Sequence, residues 1–509
     1  MEHTPNKNFE DLKKISKTAT TLDAISALLE WDQETYMPKD SIHYRSEQVE
    51  LIASLSHKAK ISKEFSQALE KLIDIESGEI KDTTLNSKEK AAAREWRRDY
   101  LKSSKLPTEF VEEFARTTSM SMHVWSEAKK HGDFATFSPH LKKIVELNKK
   151  KAELLGYEKH PYDALLDLYE PGMTTEIISP LFAELKLALT DMLRKIQSKS
   201  KHSRECLKNE FSAHHQLHFS KMILKEMGFH ENYSRLDLSE HPFCSSLNPK
   251  DIRMTTRVIP GMPLSCIFSV IHEAGHGIYE SQLDESMHGT PLCSAMSLGI
   301  HESQSRLWET IIGKSYSFWQ HFFPILQKES INSFKSVQLD EFFFALNHVE
   351  PSLIRVEADE VTYCLHVIIR YEIEKGLIEG SLQVEDLPKI WNRKITETLG
   401  ITPNSDREGC LQDIHWSMGA FGYFPTYALG NIYAAQIFEV FEKQHPDWKH
   451  KVASGNLLFI RQWLEKNLHK YGREFTPEEI IHKITNRGID VMPYINYLNL
   501  KFSKIYNYA

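Results

Sequence analysis

Cys266-Ile267-Phe268-Ser269-Val270-Ile271-His272-Glu273-Ala274-Gly275-His276-Gly277-Ile278-Tyr279-Glu280 decides how this 509-residue chain is read. The run before His272 is mostly apolar, which predicts a buried helix whose polar side chains need partners. Two histidines four apart project from one helix face about a turn apart, so both imidazoles can reach a single metal ion. Glu273 is placed to hold the metal's water rather than the metal. A third protein ligand with an open fourth position is the arrangement of a catalytic rather than a structural zinc. Gly275 and Gly277 weaken the helix but permit close packing where another element crosses.

The third ligand has to come from elsewhere. The metzincin spacing would put Gly and then His after His276, but Tyr279 and Gln282 occupy those positions and exclude that class. Glu302, in His301-Glu302-Ser303-Gln304, begins a run with apolar residues at helical spacing, and residues 284–299 are long enough to fold back. Glu280 and Glu309 compete with it. Glu280, one turn beyond His276, could instead orient a histidine from behind.

The bulk numbers are those of an ordinary water-soluble protein: 41% hydrophobic, 26% charged, net charge −8. That balance offers no basic field for nucleic acid. No apolar run is long enough to span a bilayer, and residues 1–8 lack the apolar core of a secretory signal. The six cysteines (206, 244, 266, 293, 364 and 410) are dispersed without a CxxC pair. They read as reduced thiols of a cytoplasmic protein, and a cysteine zinc site is not expected.

Most of the chain has helical periodicity, as over 9–29, 44–55, 65–75, 88–101, 109–130, 137–155 and 219–227. Ser87 and Pro107-Thr108 suit helix starts. The first 150 residues read as antiparallel helices forming an N-terminal sub-region of one unit spanning 1–509, with no linker or repeat. Arg94–Asp99 reads as a solvated helix face with Trp96 on the packed side. Residues 251–259, β-branched and alternating, form the best strand, turned at Pro260-Gly261 and feeding the HEAGH helix. An extended peptide could pair with its edge.

Two further constellations stand out. Arg355 and Asp359 are four apart in a segment read as opening a helix, and spacing alone favours an i,i+4 ion pair over carboxylate recognition by Arg355. Gly409 to Trp416 leads into a glycine- and aromatic-rich loop. Tyr423, with Tyr427 second, is the hydroxyl expected to stabilise an oxyanion there.

In this order the motifs resemble the M32 carboxypeptidase family, the thermostable carboxypeptidase Taq type. They are His241-Pro242-Phe243, Asp251 to Thr255, HEAGH, His301 to Gln304, Ile354 to Asp359 and Gly409 to Trp416, with Trp31 to Pro38 also similar. The resemblance implies a mainly helical, neurolysin-like zincin with a deep central groove, a small sheet beside the metal, and the N-terminal helices as a groove wall. It implies a homodimer removing single residues from free peptide C-termini, using one divalent ion, zinc or alternatively cobalt. It also implies His272, His276 and Glu302 as ligands and Glu273 as the catalytic residue. Arg355 becomes, with Arg253, an expected anchor for the terminal carboxylate, Gln412 and Tyr427 are expected to bind substrate, and His415 is expected to join Tyr423 as a catalytic group at the oxyanion. Local departures, Cys244 to Leu247 and Pro260 to Pro263, bear on specificity. The alternative is a neurolysin-like oligoendopeptidase with the same site but no carboxylate anchor.

Overall fold

The computed structural model describes residues 6–199, 202–208, 211–259, 261–262, 264–330 and 333–508. Helices dominate, as periodicity predicts. Helix α1 (Lys7–Thr35) and α2 (Ile42–Lys60) form an antiparallel hairpin, and α3 (Ser87–Ser104) meets α1 through Trp96, which contacts Phe9 and Ser16. The cap of α3 is Asn86 rather than the expected Ser87. Its side chain accepts from Glu89 N while the Glu89 carboxylate accepts from Asn86 N, a reciprocal box that leaves Ser87 as the first helical residue. The helix expected over 65–75 spans only Lys63–Glu70. Beyond it Asp74 folds a turn, accepting from Glu76 N and Ser77 N.

These first helices share a small core of their own, with Phe9, Leu12, Phe65, Leu69, Leu72 and Trp96 closed by Met287 and Leu292. From Ala128 onward most buried apolar residues belong to the main core. Trp96 is packed as predicted, its indole N–H donating to Ser16 Oγ at 2.9 Å. The charge run around it is not a merely solvated face. Glu95 and Asp99 hold Arg473, and Arg98 reaches Asp167, so the run ties α3 to distant segments.

Among the described residues one sheet forms, in the order β1-β3-β2. Strand β1 (Ser234–Leu238) runs parallel to β3 (Asp251–Thr256), and β2 (Cys244–Asn248) runs antiparallel to it. The predicted strand is thus central but stops at Thr256, the last residue paired with β1. Pro260 and Pro263 lie outside the described residues; Gly261 between them has a positive φ of 76°. Strand β2 is short and polar, and β1 alternates as Arg235-Leu236-Asp237-Leu238 yet buries Asp237 and exposes Leu238, so neither was marked by its sequence pattern.

Helix α4 (Ser265–Ser281) follows and lies on β3 and β2. The close approach expected at Gly277 is real: a Cβ there would stand 2.9 Å from Ile252 Cγ2. Helix α5 (Leu298–Arg306) runs on into a π-helical turn, Leu307–Ile312, and is sandwiched between α4 and α7 (Pro425–Gln444), with α6 (Tyr363–Glu379) behind α7. A cavity of about 520 Å³ opens between α1, α3, β2 and the end of α4, with Trp96, Tyr100, Ser246, Leu247 and Glu280 in its walls.

Candidate metal and catalytic site

Helix α4 delivers His272 and His276 one turn apart, and α5 brings Glu302 against them. Glu302 Oε2 lies 3.7 Å from His272 Nε2 and 3.6 Å from His276 Nε2. Tetrahedral coordination at zinc bond lengths needs ligand atoms about 3.3 Å apart, so two imidazole nitrogens and one carboxylate oxygen stand almost at ligation distance. Among the described residues they are the one trio of histidine, cysteine and acidic side chains so disposed. The donor set fits a divalent ion and leaves a position open.

The two competing glutamates lie behind the ligands. Glu309, on the π-helical turn, contacts His272 Nδ1 at 2.8 Å and accepts from Arg306 Nη1 at 2.9 Å. That assigns a proton to Nδ1 and frees Nε2 for a metal. Burial opposes ionisation of Glu309, but Arg306 outweighs it and, with His272, holds the carboxyl well below the usual range. A π-helical turn is a recurrent device at functional sites, and here it presents Glu309 behind His272. Glu280 contacts His301 at 3.1 Å, and the His301 ring stacks on His276 with centroids 4.2 Å apart.

Glu273 is buried at 7% exposure, and burial pushes its carboxyl up to about 7, with His272 opposing and Glu302 reinforcing. A carboxyl poised near neutrality suits proton transfer in either direction. His272 shows the opposite balance. Burial alone would lower it, yet Glu302 and Glu309 raise it to about 9. His276 is driven well below its ordinary value by burial, with His301 and His272 adding to the effect.

The loop before α7 forms the facing wall. Tyr423 sits between Tyr169, Tyr427 and His415, with ring centroids 5.2, 5.3 and 5.4 Å away. His415 Nε2 lies 3.1 Å from the Tyr427 hydroxyl. Burial, reinforced by Arg355 and Arg370 and opposed by Asp413, lowers His415 to about 4, so it is neutral at pH 7. The glycine-rich loop is pinned from below. Glu374, buried beneath it, accepts from Trp416 Nε1 and Gly422 N, and a Cβ at Gly422 would stand 2.6 Å from Leu165 O.

Arg355 does not pair with Asp359, because no helix runs between them. Asp359 instead accepts from Val361 N and Thr362 N ahead of α6. Arg355 lies in a 3₁₀ turn, its Nε and Nη2 donating to Asp413 Oδ1 and its Nη1 to the Tyr363 hydroxyl. Its guanidinium is 4.9 Å from the Tyr427 ring centre. Gln412 has its amide engaged within the loop: Oε1 accepts from Arg355 N and Arg370 Nη2, and Nε2 donates to Leu353, Glu408 and Gly409 carbonyls. Sequence reading put Gln412 at the substrate; its amide oxygen here meets the Arg355 backbone and the Arg370 side chain. Arg253 lies apart on β3, bidentate to Asp251, and its guanidinium covers Trp31 of α1 at 4.3 Å. Arg370 and Arg306 escaped sequence reading, although Arg306 follows Glu302 by one helical turn.

A family model described as carboxypeptidase Taq (M32) metallopeptidase matches residues 11–502. Carboxypeptidase 1 of Bacillus subtilis is 39% identical, the match covering 99% of each chain. Thermostable carboxypeptidase 1 of Thermus thermophilus is 37% identical over 99% of this chain and 100% of its own. The crystal structure of the M32 carboxypeptidase from Deinococcus radiodurans superposes with a TM-score of 0.95 at 32% identity, over 99% of this chain and 100% of that one.

Proposed function

This chain belongs to the carboxypeptidase Taq (M32) family of metallopeptidases, and on that premise we propose how its own residues remove single amino acids from free peptide C-termini. The observation that carries the reading is the His272, His276 and Glu302 trio with Glu273 beside it. One divalent ion, zinc in this reading with cobalt as the alternative, would be held by that trio. The chemistry it supplies when bound is Lewis-acid polarisation of the scissile carbonyl and a water acidic enough to attack near neutral pH.

The remaining work falls to side chains. Glu273 takes the attacking water's proton and returns it to the leaving amine, the exchange that a carboxyl near 7 favours. Tyr423 donates its hydroxyl proton into the hydrogen bond that meets the tetrahedral oxyanion. Neutral His415 steadies the Tyr427 hydroxyl beside it. Arg355 holds the substrate's terminal carboxylate: Asp413 occupies one edge of its guanidinium, leaving one N–H on each terminal nitrogen, the fork a carboxylate fits. Arg253, committed to Asp251 and Trp31, is the second choice, acting on the groove wall. We further propose a cytoplasmic homodimer.

The test is a matched pair of peptides, one with a free C-terminal carboxylate and one amidated. Exopeptidase action anchored by Arg355 predicts rapid trimming of the first and none of the second. Equal cleavage of both would favour oligoendopeptidase action.

A further inference from the structure

Glu302 reaches the two histidines from a helix squeezed on both sides at one turn. On the α7 side, a Cβ at Gly430 would stand 2.5 Å from Glu302 Cγ and 2.8 Å from its Cβ. On the α4 side, a Cβ at Gly275 would stand 2.5 Å from Gln304 O and 2.6 Å from Ser305 Cα. Real Cβ contacts do not come that close, and neither glycine has a positive φ that would otherwise require it. A mid-helix glycine weakens its helix by about 1 kcal/mol relative to alanine, so both positions relinquish helix stability for proximity. Both glycines abut the same turn, 302–305, from opposite faces.

The carboxylate on that turn is also held from within. Ser305 Oγ donates to Glu302 Oε2 at 2.9 Å, and Oε2 is the oxygen that faces both imidazoles. Ser305 Oγ also reaches Glu302 O at 2.7 Å, and the residue is fully buried. Further along, Gln304 Oε1 meets His469 Nε2 at 2.8 Å, so the turn cannot roll about its axis without breaking a buried contact.

We propose that Gly430, Gly275 and Ser305 are positioning residues that set the Glu302 carboxylate at ligation distance from His272 and His276. The two glycines fix how deeply α5 seats between α4 and α7, and Ser305 fixes which way Oε2 points. The clamp rests on Glu302 being the third ligand, as proposed above.

The experiment measures the zinc dissociation constant of the chelator-stripped protein by competition with a chromophoric chelator, alongside the melting temperature of the same metal-free samples. Ser305→Ala should raise the zinc Kd about 10-fold with an unchanged metal-free melting temperature. Gly430→Ala should raise Kd by at least as much. The control is Gly376→Ala on α6, where a Cβ would meet the Leu382 side chain at 2.6 Å; it should lower the melting temperature and leave Kd alone. The clamp is overturned if Ser305→Ala and Gly430→Ala both bind zinc within twofold of the parent, or if Kd rises equally in Gly376→Ala. Should Gly430→Ala fail to fold, Ser305→Ala decides alone. Glu302→Gln separates the premises. If it weakens zinc while the clamp variants do not, the clamp alone fails; if it leaves zinc binding intact, the ligand assignment fails and the clamp with it.

Discussion

Metal uptake by this protein should expel a proton, and the number of protons follows from His272. With no cation present, Glu302, Glu309 and Glu273 crowd its imidazole and raise it from 6.5 to about 9 against the pull of burial. His276, driven well below its ordinary value, is already neutral and gives up nothing. A metal therefore displaces a proton bound with roughly 3 kcal/mol of extra affinity. At pH 7 close to one proton should leave per ion. Apparent affinity should rise about tenfold per pH unit up to roughly pH 9 and then level off. The same shift fixes the sign of stability in the metal-free protein. A histidine whose pKa is raised by folding stabilises fully below its unfolded value of 6.5, and loses that contribution as pH climbs to about 9. Urea denaturation of the chelated protein should thus weaken by roughly 3 kcal/mol between those pH values, and the loaded protein should not follow. Proton release is read by calorimetry in buffers of different ionisation enthalpy. Glu309→Gln, which removes the negative charge beside Nδ1, should reduce the release. Uptake at pH 7 without proton release would refute the reasoning.

Other outcomes follow from the same geometry. Glu273→Gln should keep its metal and lose about 10²- to 10⁴-fold in kcat, measured with metal content on the same sample. Tyr423→Phe should lose about 10²-fold or more in kcat with KM little changed, read from steady-state kinetics on an unblocked peptide. Arg355→Met should raise KM for free-carboxylate peptides far more than Arg253→Met does, and a larger effect at Arg253 would transfer the anchor to β3. Ile271→Ala, on the buried face of the metal helix at 0% exposure, should cost about 2–5 kcal/mol of stability, measured by denaturant unfolding.

What sequence reading could reach depended on whether a pattern is local. Helical periodicity and the HEAGH spacing are local, so α4 and its two histidines were legible, and β3 with its buried Ile252 and Met254 was legible as alternation. Strands β1 and β2 were not: β2 is polar, the alternation of β1 runs opposite to its burial, with Asp237 inside and Leu238 exposed, and both are defined by pairing with β3. The choice among Glu280, Glu302 and Glu309 was a question of distance. The fold stacks α5 on α4, which puts Glu302 at 3.6–3.7 Å from both imidazoles and Glu309 on Nδ1. Arg355 misled local reading for the same reason. Asp359 is near in sequence, but Asp413, fifty-eight residues on, is the partner that tertiary structure supplies. Gln412 was placed at the substrate by resemblance, and the hydrogen bonds that engage its amide are a three-dimensional feature that local sequence does not carry.

The measurement that bears most directly on the central claim is mass spectrometry of an unblocked peptide incubated with chelator-stripped and metal-restored protein. The account predicts a ladder of single-residue losses from the C-terminus, present only after metal is restored. Internal fragments, or trimming that persists without metal, would contradict it.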